Sequence, residues 1–141
     1  MSELLAKVRY DVTIKGGHSD HRRTIYDAEK ITGDLDGEWF PHGIMSINFG
    51  LELGKHFHDY DEMFFTPNGT FTFKLVNIDN LETRKYLLHP GSRLLIPKEI
   101  GHISVCDVPQ GVLMGYGNVP YDSKRTFPCS ERALEALAQI K

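Results

Sequence analysis

Short β-prone runs of alternating polarity, cut every ten residues or so by glycine or proline, constrain this chain most. "IMSINFG" alternates apolar and polar positions from Ile44 to Phe49, and "GTFTFKLVN" does so from Thr70 to Leu75. "TRKYLL", "SRLLIP", "HISVCDV" and "GVLMGYGNV" continue the series, while "EMFFT" is a short continuous apolar run. "TPNG" and "HPGS" carry tight-turn chemistry, and "NIDNLE" reads as a hairpin tip. Period-2 runs at this spacing specify an all-β sandwich or barrel. Helix is expected only at the edges. "CSERALEALAQIK" predicts one over about 130–141, with Ser130 as N-cap, Glu131 in the first turn and Ala133, Leu134, Leu137 and Ala138 as an apolar stripe. It would pack outside the barrel. "SELLAK" fits a short turn or a strand.

With 141 residues the chain makes one domain, residues 1–141, large enough to bury a core. Its net charge of −3 comes from interleaved acids and bases. No basic stripe follows a phosphate backbone, which speaks against nucleic acid as a partner. The amino-terminal stretch lacks an apolar signal core, and no run approaches the roughly 20 apolar residues that span a bilayer, so no membrane role is expected. Cys106 and Cys129 stand far apart and read as free thiols of a reducing compartment; the expected location is cytoplasmic.

The segment "GLELGKHFHDYDEMFFTPNG", residues 50–69, concentrates metal-binding side chains. His56 and His58, two apart on a strand, point to one face. Glu62 follows where the next strand begins, and a hairpin would return its carboxylate to that face. Imidazole and carboxylate are transition-metal donors; a solvated surface pair is the other reading of His-x-His alone.

Written out, the segment is G-x5-H-x-H-x3-E-x6-G, from Gly50 to Gly69, and matches at every specified position the first signature of the cupin family. Gly91, Pro97 and His102 match three of the five specified positions of the second signature, with Glu99 and Cys106 replacing its glycine and asparagine. The resemblance spans about residues 44–118. It implies a double-stranded β-helix, the jelly-roll barrel, with His56, His58, Glu62 and His102 as ligands of one divalent transition metal: Fe, Mn, Ni, Zn or Cu. Three imidazoles and a carboxylate leave coordination positions open, as catalysis requires. Glu99 is expected either in ordinary backbone geometry or in a slightly different turn, with Gly101 nearby supplying flexibility.

The resemblance implies a small-molecule ligand and, as is common among cupins, a homodimer. Catalytic candidates are Glu62 and Tyr116. Phe64, Phe73 and Met114 are candidates to line the cavity, and Phe57 should face away from it. Cys106 reads as a small buried hydrophobe. His18 and His21 fall in a polar loop, His42 and His89 in turns, and Asp59 and Asp61 are loop acids beside the site. A more diffuse similarity, through "SDHRRTIYDAEKI" and "LLIPKEIGH", is to cupin-type nucleotide-sugar epimerases and ketoisomerases, which use histidine–tyrosine acid–base pairs and commonly no metal. The function these features imply is a metal-dependent isomerase, epimerase or lyase acting on a carbohydrate or keto acid. A cupin dioxygenase and a non-catalytic small-molecule or metal-binding module are the alternatives.

Overall fold

The alternating runs do become strands, and they close over one another as two antiparallel sheets. The structure, a computed structural model, describes residues 3–12 and 18–141. A single helical turn, α1 (Glu3–Ala6), leads into β1 (Arg9–Asp11). A small exposed hairpin of β2 (His18–Ser19) and β3 (Thr24–Ile25) follows, then α2 (Ala28–Thr32). The barrel strands are β4 (Phe40–Asn48), β5 (Glu52–His58), β6 (Glu62–Asn68) and β7 (Phe71–Asn77). They continue with β8 (Thr83–Leu88), β9 (Arg93–Ile96), β10 (Ile100–Cys106) and β11 (Gln110–Gly117). A short β12 (Thr126–Pro128) and the helix α3 (Glu131–Ala138) end the chain.

One sheet runs β1-β9-β6-β11-β4 and the other β12-β5-β10-β7-β8. Consecutive strands thus fall largely in opposite sheets, the topology of a jelly roll. The all-β double-stranded β-helix with a short C-terminal helix expected from the sequence is what forms. Helix α3 is capped by Ser130 as expected, its Oγ accepting from the Ala133 N–H; of "SELLAK", Glu3–Ala6 form the turn α1, and Ser2 lies outside the described residues.

The two inner faces interdigitate through Phe71, Phe73, Leu75, Leu88, Leu94, Ile96 and Leu113, with Leu5 of α1 closing one end. Each fully buried Leu or Phe of this kind contributes about 2 kcal/mol. Each outer face is also covered in part. Ala133 and Leu137 of α3 pack on Val76 and Ile103, while Ile31 of α2 packs on Met63 and Phe65. That second cover explains why "EMFFT" is apolar throughout: β6 is buried on both sides. The sequence reading placed helix only at the edges and missed α2, whose five residues are too few to show a period; its N-cap, Asp27, accepts from the Glu29 and Lys30 N–H groups.

A buried cation fastens α2 to the barrel. Arg93 of β9 is 3% exposed. Its guanidinium donates to Asp11 Oδ2 at 3.1 Å, to the Ile31 carbonyl at 2.8 Å and to Asp34 Oδ2 at 2.9 Å. β1, α2 and the loop after it are therefore held at one point. Truncating Arg93 leaves the buried Ile31 carbonyl without a donor and unfastens α2, while Asp11 and Asp34 keep contact with solvent. Arg93→Ala should lower stability by about 2 kcal/mol in equilibrium denaturation; a loss below about 1 kcal/mol, the scale of an exposed pair, would contradict that role.

Candidate active site

A β-bulge decides which side chains of β5 see the barrel interior. Across the β5–β10 ladder His56 stands opposite His102, but the next pair is Gly54 with Ile103, so Lys55 is an extra residue in β5. Gly54 and Lys55 both take positive φ, 111° and 65°. Only glycine fits the first: a Cβ there would lie 2.5 Å from the His102 carbonyl oxygen. The bulge reverses the strand's parity, so Leu53 before it and His56 and His58 after it all line the same cavity. Phe57 faces away, as expected, stacked on Phe127 under α3.

The ligand atoms of His56, His58 and His102 lie within 4.8 Å of one another. Glu62, at the start of β6, brings its Oε1 to 3.2 Å from His58 Nε2 and 3.5 Å from His102 Nε2. The hydrogen bonds behind the rings fix the tautomers. His58 Nδ1 donates to the Arg125 carbonyl at 3.1 Å, and Thr126 Oγ1 lies 3.2 Å from the same nitrogen. His102 Nδ1 donates to the Ile100 carbonyl at 3.4 Å. Both Nε2 atoms are left with lone pairs, and both face a carboxyl oxygen. Burial holds His56, His58 and His102 neutral, pushing the latter two down to about 4 and about 3. The same burial pushes Glu62 up to about 8.

A carboxylic acid has one proton for two facing lone pairs. A cation at their focus would satisfy every donor, and imidazole nitrogen with carboxylate oxygen is a donor set for divalent transition metals. The residues present therefore fit a metal.

The cavity above these groups measures about 400 Å³. Met45, Leu53, Phe64, Phe73 and Leu113 form its apolar wall, and Ser104, Thr126, Tyr60, Tyr121 and His42 add polar atoms. Among the described residues no lysine or arginine lines it. Tyr60 is 3% exposed, its ring 4.6 Å from that of His58, and Arg125 lies over its outer side, 5.4 Å from the ring centroid. Arg125 also pairs with Asp59 at 2.7 Å.

Of the residues singled out from sequence, His56, His58, Glu62 and His102 converge, and Phe64 and Phe73 line the cavity. Tyr116 and Met114 do not. They pack on the outer face of β11 with Met63, Phe65 and Ile31. The inward positions of that strand are Gly111, Leu113, Gly115 and Gly117, because a hollow needs missing side chains where the reading had placed large ones. Tyr116 is thereby removed as a catalytic candidate and Met114 as a wall residue. Cys106 is buried, as expected. His18 lies exposed beside Asp20 in the β2–β3 hairpin, and His21 is exposed too. Asp61 is structural: its carboxylate accepts from the Lys98 N–H at 2.8 Å. His42, expected in a turn, is part of β4 and reaches the cavity. Sequence reasoning also missed Tyr60 and the Arg125–Thr126 segment. The Asp-Tyr-Asp context hid the first, and the second acts through a backbone carbonyl that any residue could supply.

Glu99 does not take ordinary geometry. Its φ is 66°, the left-handed region that the glycine of the second signature would occupy. Its N–H donates to the His58 carbonyl at 2.7 Å, which ties this turn to the histidine strand.

No family model and no curated protein matches the sequence. Solved structures do resemble it. QdtA, a sugar 3,4-ketoisomerase from Thermoanaerobacterium thermosaccharolyticum in complex with TDP, superposes with a TM-score of 0.70 at 17% identity, covering 97% of this chain and 99% of that one. A 3,4-ketoisomerase from Helicobacter canadensis gives 0.70 at 14% identity over 94% and 98%. The dTDP-4-dehydrorhamnose 3,5-epimerase of Bacillus anthracis, with TDP and PPi bound, gives 0.66 at 15% identity over 89% and 80%. These are cupin-fold proteins, and the likeness establishes that fold for this chain. No helix among the described residues is long and apolar enough to cross a membrane.

Two outcomes follow from this geometry. Glu99→Gly should raise stability by about 0.5–1 kcal/mol in chemical denaturation, since glycine takes a positive φ without steric cost; a loss would show that Glu99 is held by more than its backbone. In chelator-treated protein, Glu62 keeps its proton in the native state up to about pH 8 but ionises near 4.5 when unfolded. The native state then binds the extra proton, so stability falls as pH rises through that window. His58 and His102 titrate near 6.5 unfolded but at about 4 and about 3 when folded. There the unfolded state binds more protons, so stability falls as pH drops below 6.5. Between 4.5 and 6.5 two imidazoles oppose one carboxyl, which puts the melting-temperature maximum near pH 6.5. Glu62→Gln should abolish the decline from 6.5 to 8 and steepen the fall between 6.5 and 4.5, where no carboxyl then opposes the two imidazoles, as read by calorimetry. A wild-type melting temperature that stays flat above 6.5 would refute the assignment.

Proposed function

We propose that this chain is a metal-dependent isomerase or epimerase of small, uncharged hydroxycarbonyl compounds, the class that includes keto sugars. The observation that carries the reading is the focus of three imidazoles and the Glu62 carboxyl at the base of an apolar cavity. His56, His58, Glu62 and His102 would hold the ion. A bound divalent metal would supply Lewis-acid polarisation of a carbonyl, which acidifies the neighbouring C–H.

The chain's own residues do the rest. The walls of Met45, Leu53, Phe64, Phe73 and Leu113 exclude water and so strengthen every electrostatic contact inside. The hydroxyls of Ser104, Thr126 and Tyr60 offer hydrogen bonds to substrate oxygens. With no lysine or arginine among the described residues of the lining, a phosphate inside the cavity would be a charge without a counterion there. The favoured substrate is therefore the free hydroxycarbonyl compound; a diphosphate would have to lie outside the mouth. The structural neighbours named as ketoisomerases and an epimerase favour the same reaction class, because both reactions rearrange hydrogen next to a carbonyl.

Elemental analysis tests the centre first. Wild-type protein should carry about one transition-metal ion per chain, and His56→Ala or His102→Ala about a tenth of that or less, on the cost of losing a first ligand. Metal-loaded protein should also melt higher than stripped protein, since an ion that binds only the native state at 100 times its Kd adds about 2.7 kcal/mol. Unchanged occupancy in both variants would sink the metal assignment. Interconversion of ketoses without oxygen would set the isomerase reading apart from a dioxygenase.

A further inference from the structure

His42 is built into the cavity by four separate features. On β4, Gly43, Met45 and Ile47 are turned inward, so His42 by simple alternation would share the outer face with Ile44, which is 73% exposed. It does not, because a bulge intervenes: Gly115 pairs with Gly43, the next pair is Tyr116 with Pro41, and His42 is the residue left over. Bulges re-aim side chains in this way beside functional sites. Gly117 leaves room for the ring, since a Cβ there would lie 2.2 Å from the imidazole. The Val119 carbonyl, 2.7 Å away, accepts from Nε2–H and so leaves Nδ1 as the basic nitrogen. Among the described residues Nδ1 has no hydrogen-bond partner. Tyr60 and Tyr121 hold the ring edge-on, with centroids at 5.4 and 5.6 Å.

We propose that His42 is the proton-transfer residue of this site, a role that rests on the isomerase reading above. Among the described residues, apart from the four metal-binding candidates, the ionisable side chains of the lining are His42, Tyr60 and Tyr121. Of these, only imidazole presents a nitrogen lone pair that can take a proton and give it back. In the forward step the C–H bond beside the substrate carbonyl breaks, its electron pair enters the carbonyl system as an enolate, and Nδ1 takes the proton. In the return step Nδ1–H gives the proton back to carbon and the ring is neutral again. Nothing is oxidised or reduced. The Val119 carbonyl holds the other N–H throughout.

Deuterium incorporation tests this. Wild type and His42→Gln are loaded in turn with Mn2+, Fe2+, Co2+, Ni2+ or Zn2+ and incubated with 1,3-dihydroxyacetone or D-fructose in D2O, and carbon-bound deuterium is read by mass spectrometry. Wild type should label the carbon next to the carbonyl. His42→Gln should label it about 100-fold more slowly or worse, the scale of losing a general base, with metal content and melting temperature as in wild type. Labelling within about threefold of wild type would overturn the role of His42 and leave the isomerase reading standing. Loss of metal together with labelling would make His42 structural and also overturn it. No labelling by wild type with any of these metals would defeat both readings together. His42→Asn is judged by the same outcomes if His42→Gln does not fold.

Discussion

The cavity depends on the pairing of β5 with β10. That ladder sets His56 opposite His102, residues 46 apart in sequence, and its bulge at Gly54 and Lys55 turns His56 and His58 inward beside Leu53. A one-residue change of register would send the histidine pair to the outer face and the neighbouring Phe57 into the barrel. The bulge needs two consecutive residues at positive φ, and the Glu99 N–H on the far side clamps the His58 carbonyl. Backbone conformation, more than side-chain choice, thus locates the imidazoles.

Once they are located, electrostatics dictates what the site wants. Burial favours neutral forms, so three rings stay uncharged and Glu62 resists ionising. Hydrogen bonds to backbone carbonyls commit the outer nitrogens of His58 and His102 as donors, which turns their lone pairs on the Glu62 oxygen. The arrangement is poor as a set of isolated polar groups and good as a set of ligands. In the aromatic series Tyr121, His42, Tyr60 and His58, each ring touches the next from the cavity mouth inward.

Period-2 runs and turn residues made the barrel legible, and the spacing from Gly50 to Gly69 with His102 singled out the four side chains that converge in the cavity. The misreadings concern facing. In β11 the alternation of Gly, Leu, Gly and Gly with Val, Met and Tyr was plain, but which half looked inward depends on whether the interior is filled or hollow. His42 escaped because a bulge residue obeys neither parity. The left-handed Glu99 escaped because a side chain at positive φ carries a steric cost that tertiary structure must override. Arg93 looked like an ordinary strand residue, since its partners come from β1, α2 and the loop after α2, all more than fifty residues away.

All four donor side chains have been laid down by residue 102, yet the proton on His58 is placed by the carbonyl of Arg125 and supported by Thr126. Those two residues are held in turn by the pairing of β12 with β5 and by the Arg125–Asp59 ion pair. The ring that belongs to the first half of the chain thus has its tautomer set by the last strand. The carboxy-terminal segment is in that sense the keystone of the cavity: it supplies none of the four converging side chains, and it decides which nitrogen of His58 faces Glu62.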